Sequence, residues 1–269
     1  MFVIVFLFGL VIGSFLNAVI YRLEANDSVF HGRSYCPKCK HTLSWHDLIP
    51  VVSFLFLRGT CRYCKGKISI QYPFVELATA LVFVAIVNAE FLHVLILEIL
   101  YVFVIASLLI VLFVYDLKHY MLPDKILIPA IFLAVGHQIG VFCVEYWSLI
   151  QNGTFEIGVL SQLANPFLAA LGAVAFFFAI FAVSGGRAMG FGDVKLAGFM
   201  GLFLGWPNIM VALFAAFSVG AIVGLYLIFS KKKQMKSEVP FGPFLIGGTA
   251  CAFFFGNAVV DWYLRLVLV

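Results

Sequence analysis

Charge is what this chain has least of. Only 11% of its 269 residues are Asp, Glu, Lys or Arg, against roughly 25% in an ordinary soluble domain, and 13 of them are acidic. Beside 64% apolar residues and 31 Phe, so small a polar complement excludes a water-soluble globule, because one core of this size cannot hide that much apolar surface. The same composition excludes a disordered chain and a small disulfide-stapled scaffold. The first apolar run lacks a basic leader and a small-residue cleavage site, which argues for a retained helix over a signal peptide.

What is present is a series of apolar runs at about 2–21, 73–92, 94–115, 126–146, 165–184, 193–206, 208–229 and 244–267. At roughly 20 residues per span they predict about eight helices. The expected fold is therefore an all-α polytopic membrane protein, with a first helix over 1–21, a polar loop over 22–72, and a seven-helix membrane core over 73–269.

A second absence orients these spans. The loops around Glu90, around Glu145 to Glu156 and around Trp206 to Asn208 contain no Lys or Arg. Alternate segments hold 16 of the 17 basic residues: eight within 22–72, then Lys118, Lys125, Arg187, Lys195, Lys231, Lys232, Lys233 and Lys236. The excess of basic residues on cytoplasmic sides places the polar loop in the cytoplasm and both termini outside. It also accounts for the net charge of +4 without nucleic acid. Anionic lipid headgroups are the simplest partner of Lys231, Lys232 and Lys233, at about 1 kcal/mol per basic residue.

Within the loop, Cys36-Pro37-Lys38-Cys39 and Cys61-Arg62-Tyr63-Cys64 form two C-x-x-C pairs with 21 residues between them. That is close to a zinc-ribbon spacing. Four thiolates on a reducing side suit a closed, structural tetrahedral zinc site, with redox pairs or free thiols as the alternative. His31, His41 and His46 then read as loop residues. Cys143 and Cys251 read as small packing residues inside apolar runs.

Carboxylates at membrane depth are expensive and become functional candidates. Glu98, Glu145 and Asp261 lie near outer helix ends, where water can reach them. Glu76, shortly after Pro73, reads as a first-turn carboxylate favoured by the helix dipole, with a role in a site as the alternative. Asp116 closes the apolar run 94–115 at its cytoplasmic edge. After it, Pro123 stops or turns the chain, and Asp124 is placed to cap the next helix. Asp193 lies in Gly190-Phe191-Gly192-Asp193-Val194-Lys195 before the shortest run. The 14 residues from Asp193 to Trp206 rise only about 21 Å against a hydrocarbon core of about 30 Å. Asp193 should therefore sit below headgroup level or face a water-filled dip. Gly190 and Gly192 would permit close backbone approach or positive φ there, and irregular backbone at that depth implies a protein-lined cavity. Lys195 reads as snorkelling to the surface, with pairing to a carboxylate as the alternative. Gly201-x-x-x-Gly205 and Gly220-x-x-x-Gly224 read as close-packing helix faces.

Two membrane aspartates sharing a proton fit aspartic-protease chemistry. They fit a proton or cation pathway, or a zinc-organised scaffold, equally well.

Several motifs in order narrow this: Gly13-Ser14-Phe15-Leu16-Asn17, the two cysteine pairs, Trp45-x-Asp47-Leu48-Ile49-Pro50, Tyr72-Pro73-x-Val75-Glu76-Leu77, Leu122-Pro123-Asp124, Gly190-x-Gly192-Asp193-Val194-Lys195 and Pro240-Phe241-Gly242-Pro243-Phe244. Together they resemble the bacterial type IV prepilin peptidases, intramembrane aspartyl proteases of the GxGD type. The resemblance implies that Asp116 and Asp193 are catalytic; Gly190, Gly192, Lys195, Pro123 and Asp124 are the candidate supporting residues, and Cys36, Cys39, Cys61 and Cys64 remain the candidate zinc ligands. It implies a pilin or pseudopilin precursor as substrate, with a short basic leader ending in Gly before a hydrophobic helix, cleaved at the inner face of the bacterial cytoplasmic membrane. Glu24, Asp27, Asp47, Asp124 and Glu238 are the acidic residues on that side able to receive a basic leader. Bifunctional relatives then methylate the new N-terminus from S-adenosylmethionine. The chain has no Rossmann-type glycine loop for that cofactor. The cysteine loop and Glu76 are the candidates for the methyl-transfer region, and a peptidase without methyl transfer is the alternative.

Overall fold

The computed structural model describes residues 1–25, 27–28, 32–89, 96–152, 157–187, 189–230 and 240–267. Among these there is no extended strand, only two isolated bridges in the cysteine loop. Long helices carry the fold: α1 Phe2–Glu24, α3 Gln71–Asn88, α4 Ile96–His119, α5 Asp124–Asn152, α6 Ile157–Ser184, α8 Asn208–Phe229 and α9 Gly242–Val267. Each of these seven includes a stretch long and apolar enough to cross a bilayer. The remaining apolar run, 193–206, forms α7, Phe191–Leu204, of only 14 residues. A five-residue helix, α2 (Val52–Phe56), lies in the polar loop. His31, Glu90, Glu156, Lys231, Lys232, Lys233, Lys236 and Glu238 fall outside the described residues.

Contacts divide the chain into two units, Met1–Val114 and Tyr115–Val269. In the first, α1 buries Gly9, Gly13, Leu16, Asn17, Ile20 and Leu23, a stripe recurring every three or four residues. Gly9 and Gly13 bring it against α3: an added Cβ would lie 2.6 Å from Ala80 Cα at Gly9 and 2.6 Å from Glu76 Cα at Gly13. Glycines spaced by four let two membrane helices approach backbone to backbone where burial of apolar surface supplies no driving force.

In the second unit α7 is the core. Val194, Leu196, Ala197, Phe199 and Met200 are buried around its whole circumference, as expected of a helix with no solvent face. Gly201 touches Ala170 of α6, and a Cβ at Gly198 would lie 2.8 Å from Val174. Gln138 of α5 donates to the Leu202 carbonyl at 3.0 Å. Surrounded by protein, α7 can be shorter than the bilayer and can begin with polar backbone at depth.

Of the two small-residue faces read from the sequence, Gly201 makes the expected close contact, while Gly205 and Gly224 do not. Gly205 ends α7 at φ +65°, which only glycine adopts freely, so it serves as a helix stop. Gly224 meets nothing within 4 Å. In their place Gly248 of α9 sits on the Ala212 carbonyl of α8. Cys143 faces outward and Cys251 is half-buried, so neither fills a core position.

Candidate active site and metal centre

Asp116 and Asp193 both belong to the second unit, both are buried (4% and 9% exposed), and Asp193 lies within electrostatic reach of Asp116. Each is held at the start of a helix. Asp193 is the third residue of α7, whose N-cap is Gly190; its N–H donates to the Gly190 carbonyl at 3.2 Å, and its carboxylate lies toward the Gly190 amide. An acidic residue at that position reaches back to the cap amide, so the Gly-x-Gly-Asp spacing is a capping geometry. Gly190 has φ −76°, and neither Gly190 nor Gly192 is among the residues of positive φ. The second glycine is needed for close approach: a Cβ on Gly192 would lie 3.2 Å from Leu122 Cβ.

Asp116 comes from the last turn of α4. That helix continues to His119 and is stopped by Tyr120, which has φ +56° and donates its N–H to the Asp116 carbonyl at 2.9 Å. The Asp116 carboxylate lies against Gly242, the first residue of α9, whose amide acts on it electrostatically. Helix starts offer free N–H groups and positive potential, so each aspartate gains an oriented donor in a region of otherwise apolar side chains. Gly242 has no room for a side chain, because a Cβ would collide with Asp116 Oδ2. Leu122 wedges between the two arrangements, with Cδ2 3.2 Å from the Cβ position of Gly242. Gly242 and Leu122 stand in motifs legible in the sequence, yet nothing in residue type or spacing announced that they hold the aspartates.

The supporting residues differ from expectation in two ways. Pro123, not Asp124, caps α5: its carbonyl accepts the Ile126 and Leu127 N–H groups at 3.0 and 3.1 Å. Asp124 is the first helical residue, and its two oxygens take Lys195 Nζ at 2.7 and 2.8 Å. Lys195 also lies over the Phe191 ring at 5.3 Å. It is thus paired across helices and does not snorkel, and the pair ties α7 to the beginning of α5.

The four cysteines of the first unit converge, with all sulfurs within 4.8 Å of one another and Cys36 Sγ 3.9 Å from Cys64 Sγ. Four sulfurs around one tetrahedral ion would be separated by about 3.8 Å, so the set fits a single metal ion. Two copies of one knuckle make it. Cys36 N–H donates to His41 and Cys36 C=O accepts Lys40 N–H, both at 2.9 Å, while Cys61 repeats this with Gly66 and Lys65 at 2.8 and 3.0 Å. Lys40 and Lys65 take matching φ values of +58° and +57°, so each chain reversal aims two sulfurs inward. Burial resists ionisation of Cys36, but the amides of Cys39 and Lys38 and neighbouring thiols outweigh it and bring the thiol down to about 7. At Cys39 the His41 amide favours the thiolate, yet burial and the adjacent sulfurs prevail and push it up to about 11. Crowded sulfurs that cannot all ionise alone are what a divalent cation would resolve.

Polar contacts secure this cluster. Arg62 Nε reaches Asp47 Oδ1 at 2.7 Å, Ser44 N–H reaches Asp47 Oδ2 at 3.2 Å, and Tyr63 stacks on His41 with ring centres 3.7 Å apart. His46 lies on Trp45. Glu76 lies beyond the first turn of α3. Buried, it accepts Val51 N–H at 2.7 Å and is bonded by Ser14, so its carboxylate joins α1, α3 and the beginning of α2. Three acids that could have received a basic leader are already engaged: Asp27 by Tyr35 Oη at 2.8 Å, Asp47 by Arg62 and Asp124 by Lys195.

Comparison with known proteins agrees with this layout. Residues 7–90 match the bacterial peptidase A24 N-terminal domain, and residues 103–225 match the type IV leader peptidase family. A prepilin leader peptidase/N-methyltransferase of Bacillus subtilis is 31% identical over 268 residues, covering 98% of both chains. Proteins of the same name from Aeromonas hydrophila and Legionella pneumophila are each 31% identical, covering 98% of this chain and 93% and 94% of theirs. No solved structure matches. With two family models in series and relatives aligned from end to end, this enzyme, with seven helices among its described residues long and apolar enough to cross a membrane, belongs to the type IV leader peptidase family.

Proposed function

We propose that this protein removes the leader peptide of type IV prepilins and pseudopilins at the cytoplasmic edge of the bacterial inner membrane, with Asp116 and Asp193 as the catalytic pair. One observation carries the reading. In a chain with so few carboxylates, two are buried together, each oriented by a glycine amide at a helix start. As a catalytic pair the two carboxyls would share a proton and titrate as a unit. The ionised member takes a proton from water as its oxygen attacks the scissile carbonyl, which the protonated member polarises. The C–N bond then breaks and the leaving amine receives a proton from the pair. Gly242 and Gly190 fix the carboxyl directions, Leu122 spaces the two loops, and the Asp124–Lys195 pair sets α7 against the start of α5.

The distribution of Lys and Arg supports a cytoplasmic position for loop 22–72 and for cleavage, ahead of a membrane core over 73–269. Zinc is the ion that the four thiolates suit best. When bound it supplies a fold-stabilising crosslink, and with all four positions taken by cysteine it leaves no opening for catalysis. Transfer of a methyl group to the new N-terminal amine is supported by the relatives' names, and S-adenosylmethionine is the donor assigned to it. The carboxylate of Glu76 is spent on Val51 and Ser14, which supports a positioning role in place of direct cofactor contact.

The test is incubation of the detergent-solubilised protein with a pilin precursor and labelled S-adenosylmethionine. Leader loss followed by label on the mature N-terminus is expected. Leader loss without label would leave a peptidase alone, and neither would remove the assignment.

A further inference from the structure

A concave groove of about 790 Å³ runs between α6 and α8, lined at helical spacing by Asn165, Ala169, Gly172 and Phe176 on one side and Met210, Phe214 and Phe217 on the other. Its floor is small and buried, with Ala169 and Ala173 at 8% and 5% exposure, while Leu168 and Phe214 stand up at its rims at 63% and 75%. Gly172 has nothing within 4 Å of where a Cβ would stand, so the groove lies open over the glycine. Such a volume is in the range of sites that receive a ligand or a row of side chains. From Ser161 to Phe176 it extends about 22 Å, the rise of about 15 helical residues.

One end of the groove is separated from Asp116 by a layer of packed phenylalanines. At that end Phe217 lies 5.1 Å from Phe241, ring centre to ring centre, and Phe177 packs on both. The next residue, Gly242, lies directly against the Asp116 carboxylate. At the other end Asn165 holds the Trp206 backbone through two hydrogen bonds, accepting its N–H at 2.6 Å and donating to its carbonyl at 2.9 Å. Indole and amide groups belong at a membrane–water interface. The track therefore ends one aromatic layer from the Asp116 side of the site and runs toward the Trp206 end of the helices.

We infer that this groove holds the hydrophobic helix that follows the scissile bond of the substrate, so that the substrate docks as an additional helix against α6 and α8. The inference rests on the aspartate-peptidase reading, because only then does the end at Phe241 lie near the bond to be cut. A small-residue floor suits a helix better than a lipid chain: Ala169, Gly172 and Ala173 let a second backbone come close, and dispersion contacts then replace those made by lipid. A substrate seated there places its scissile bond by the packing of many side chains, and misplacement by about 1 Å costs catalysis on the order of a hundredfold.

Two measurements test this. The first is kcat/KM of Gly172→Trp for a full precursor relative to a short soluble peptide spanning the cleavage junction, with Gly136→Trp as the control, since Gly136 also meets nothing within 4 Å. The ratio should fall about tenfold or more for Gly172→Trp through a rise in KM, and Gly136→Trp should match wild type. The second places a photoreactive benzophenone side chain at position 214 in the Asp116→Asn background, where uncleaved precursor accumulates; it should capture the precursor through its hydrophobic helix. An unchanged ratio, or labelling of phospholipid alone at position 214, overturns the groove assignment. If Asp116→Asn itself cleaves normally, the peptidase reading fails instead, so the two failures are distinguishable.

Discussion

Lys195 of α7 places its ammonium 2.7 and 2.8 Å from the two carboxylate oxygens of Asp124, joining helix starts 71 residues apart in sequence. Asp124 is half exposed (54%), so the pair adds little stability, typically 0.2–1 kcal/mol or roughly that. Its consequence is geometric. Lys195→Met should leave detergent melting within about 2 °C yet reduce kcat for leader removal roughly tenfold with KM little changed. The exchange Asp124→Lys with Lys195→Asp should recover part of the loss. Equal kcat for Lys195→Met and wild type would show that the pair is ornamental to catalysis.

Gly242→Ala is the sharper perturbation. The added methyl collides with the Asp116 carboxylate, displacing one member of the pair while keeping both acids. We expect cleavage to fall on the order of a hundredfold with the four-cysteine metal content intact. Normal cleavage by Gly242→Ala would mean that the Asp116 position seen here is not the working one.

The metal centre makes an independent prediction. Cys36→Ser should release the ion, as should a strong chelator, and loop 32–70 should become readily cut by protease, because the two knuckles have little apolar core of their own. Stoichiometric metal retained by Cys36→Ser would refute the four-sulfur site.

Asp47 gives the loop a defined acid response. Burial alone would raise its pKa, but the Arg62 guanidinium, the Ser44 amide and the Tyr63 hydroxyl hold its carboxyl below the usual value. A carboxylate with a depressed folded pKa stabilises fully above its unfolded value, about 4, and loses that contribution as pH falls through the folded value. The difference in loop proteolysis between wild type and Asp47→Asn should be constant from pH 8 to pH 5, by this reasoning, and should shrink below about 4. A difference that changes steadily across neutral pH would place the controlling group elsewhere.

How much of this was legible in the sequence varies with the range of the interaction responsible. The runs of apolar residues and the C-x-x-C spacing are local and strong, and they predicted the long helices and the cysteine cluster directly. The shortness of α7 was visible in the count from Asp193 to Trp206. Glycine roles were harder, since residue spacing cannot tell a packing face from a helix stop. Gly205 and Gly224 had the spacing of a close contact, while Gly9, Gly13 and Gly248 make one. Partnerships between distant segments were illegible: nothing in Lys195 names Asp124, and nothing in Gly242 names Asp116, because those pairings exist only once α5, α7 and α9 converge. Glu76 shows the same limit. Its carboxylate serves Val51, 25 residues upstream, and a helix-dipole argument cannot see such a partner.

The central claim is that Asp116 and Asp193 together cut the precursor, and cleavage by single amide variants tests it most directly. Asp116→Asn and Asp193→Asn differ from wild type by one ionisable group each. Purified in detergent and given pilin precursor, each should lose detectable leader removal while keeping its metal and its melting profile. Full cleavage by either variant, with the protein folded, would contradict the account.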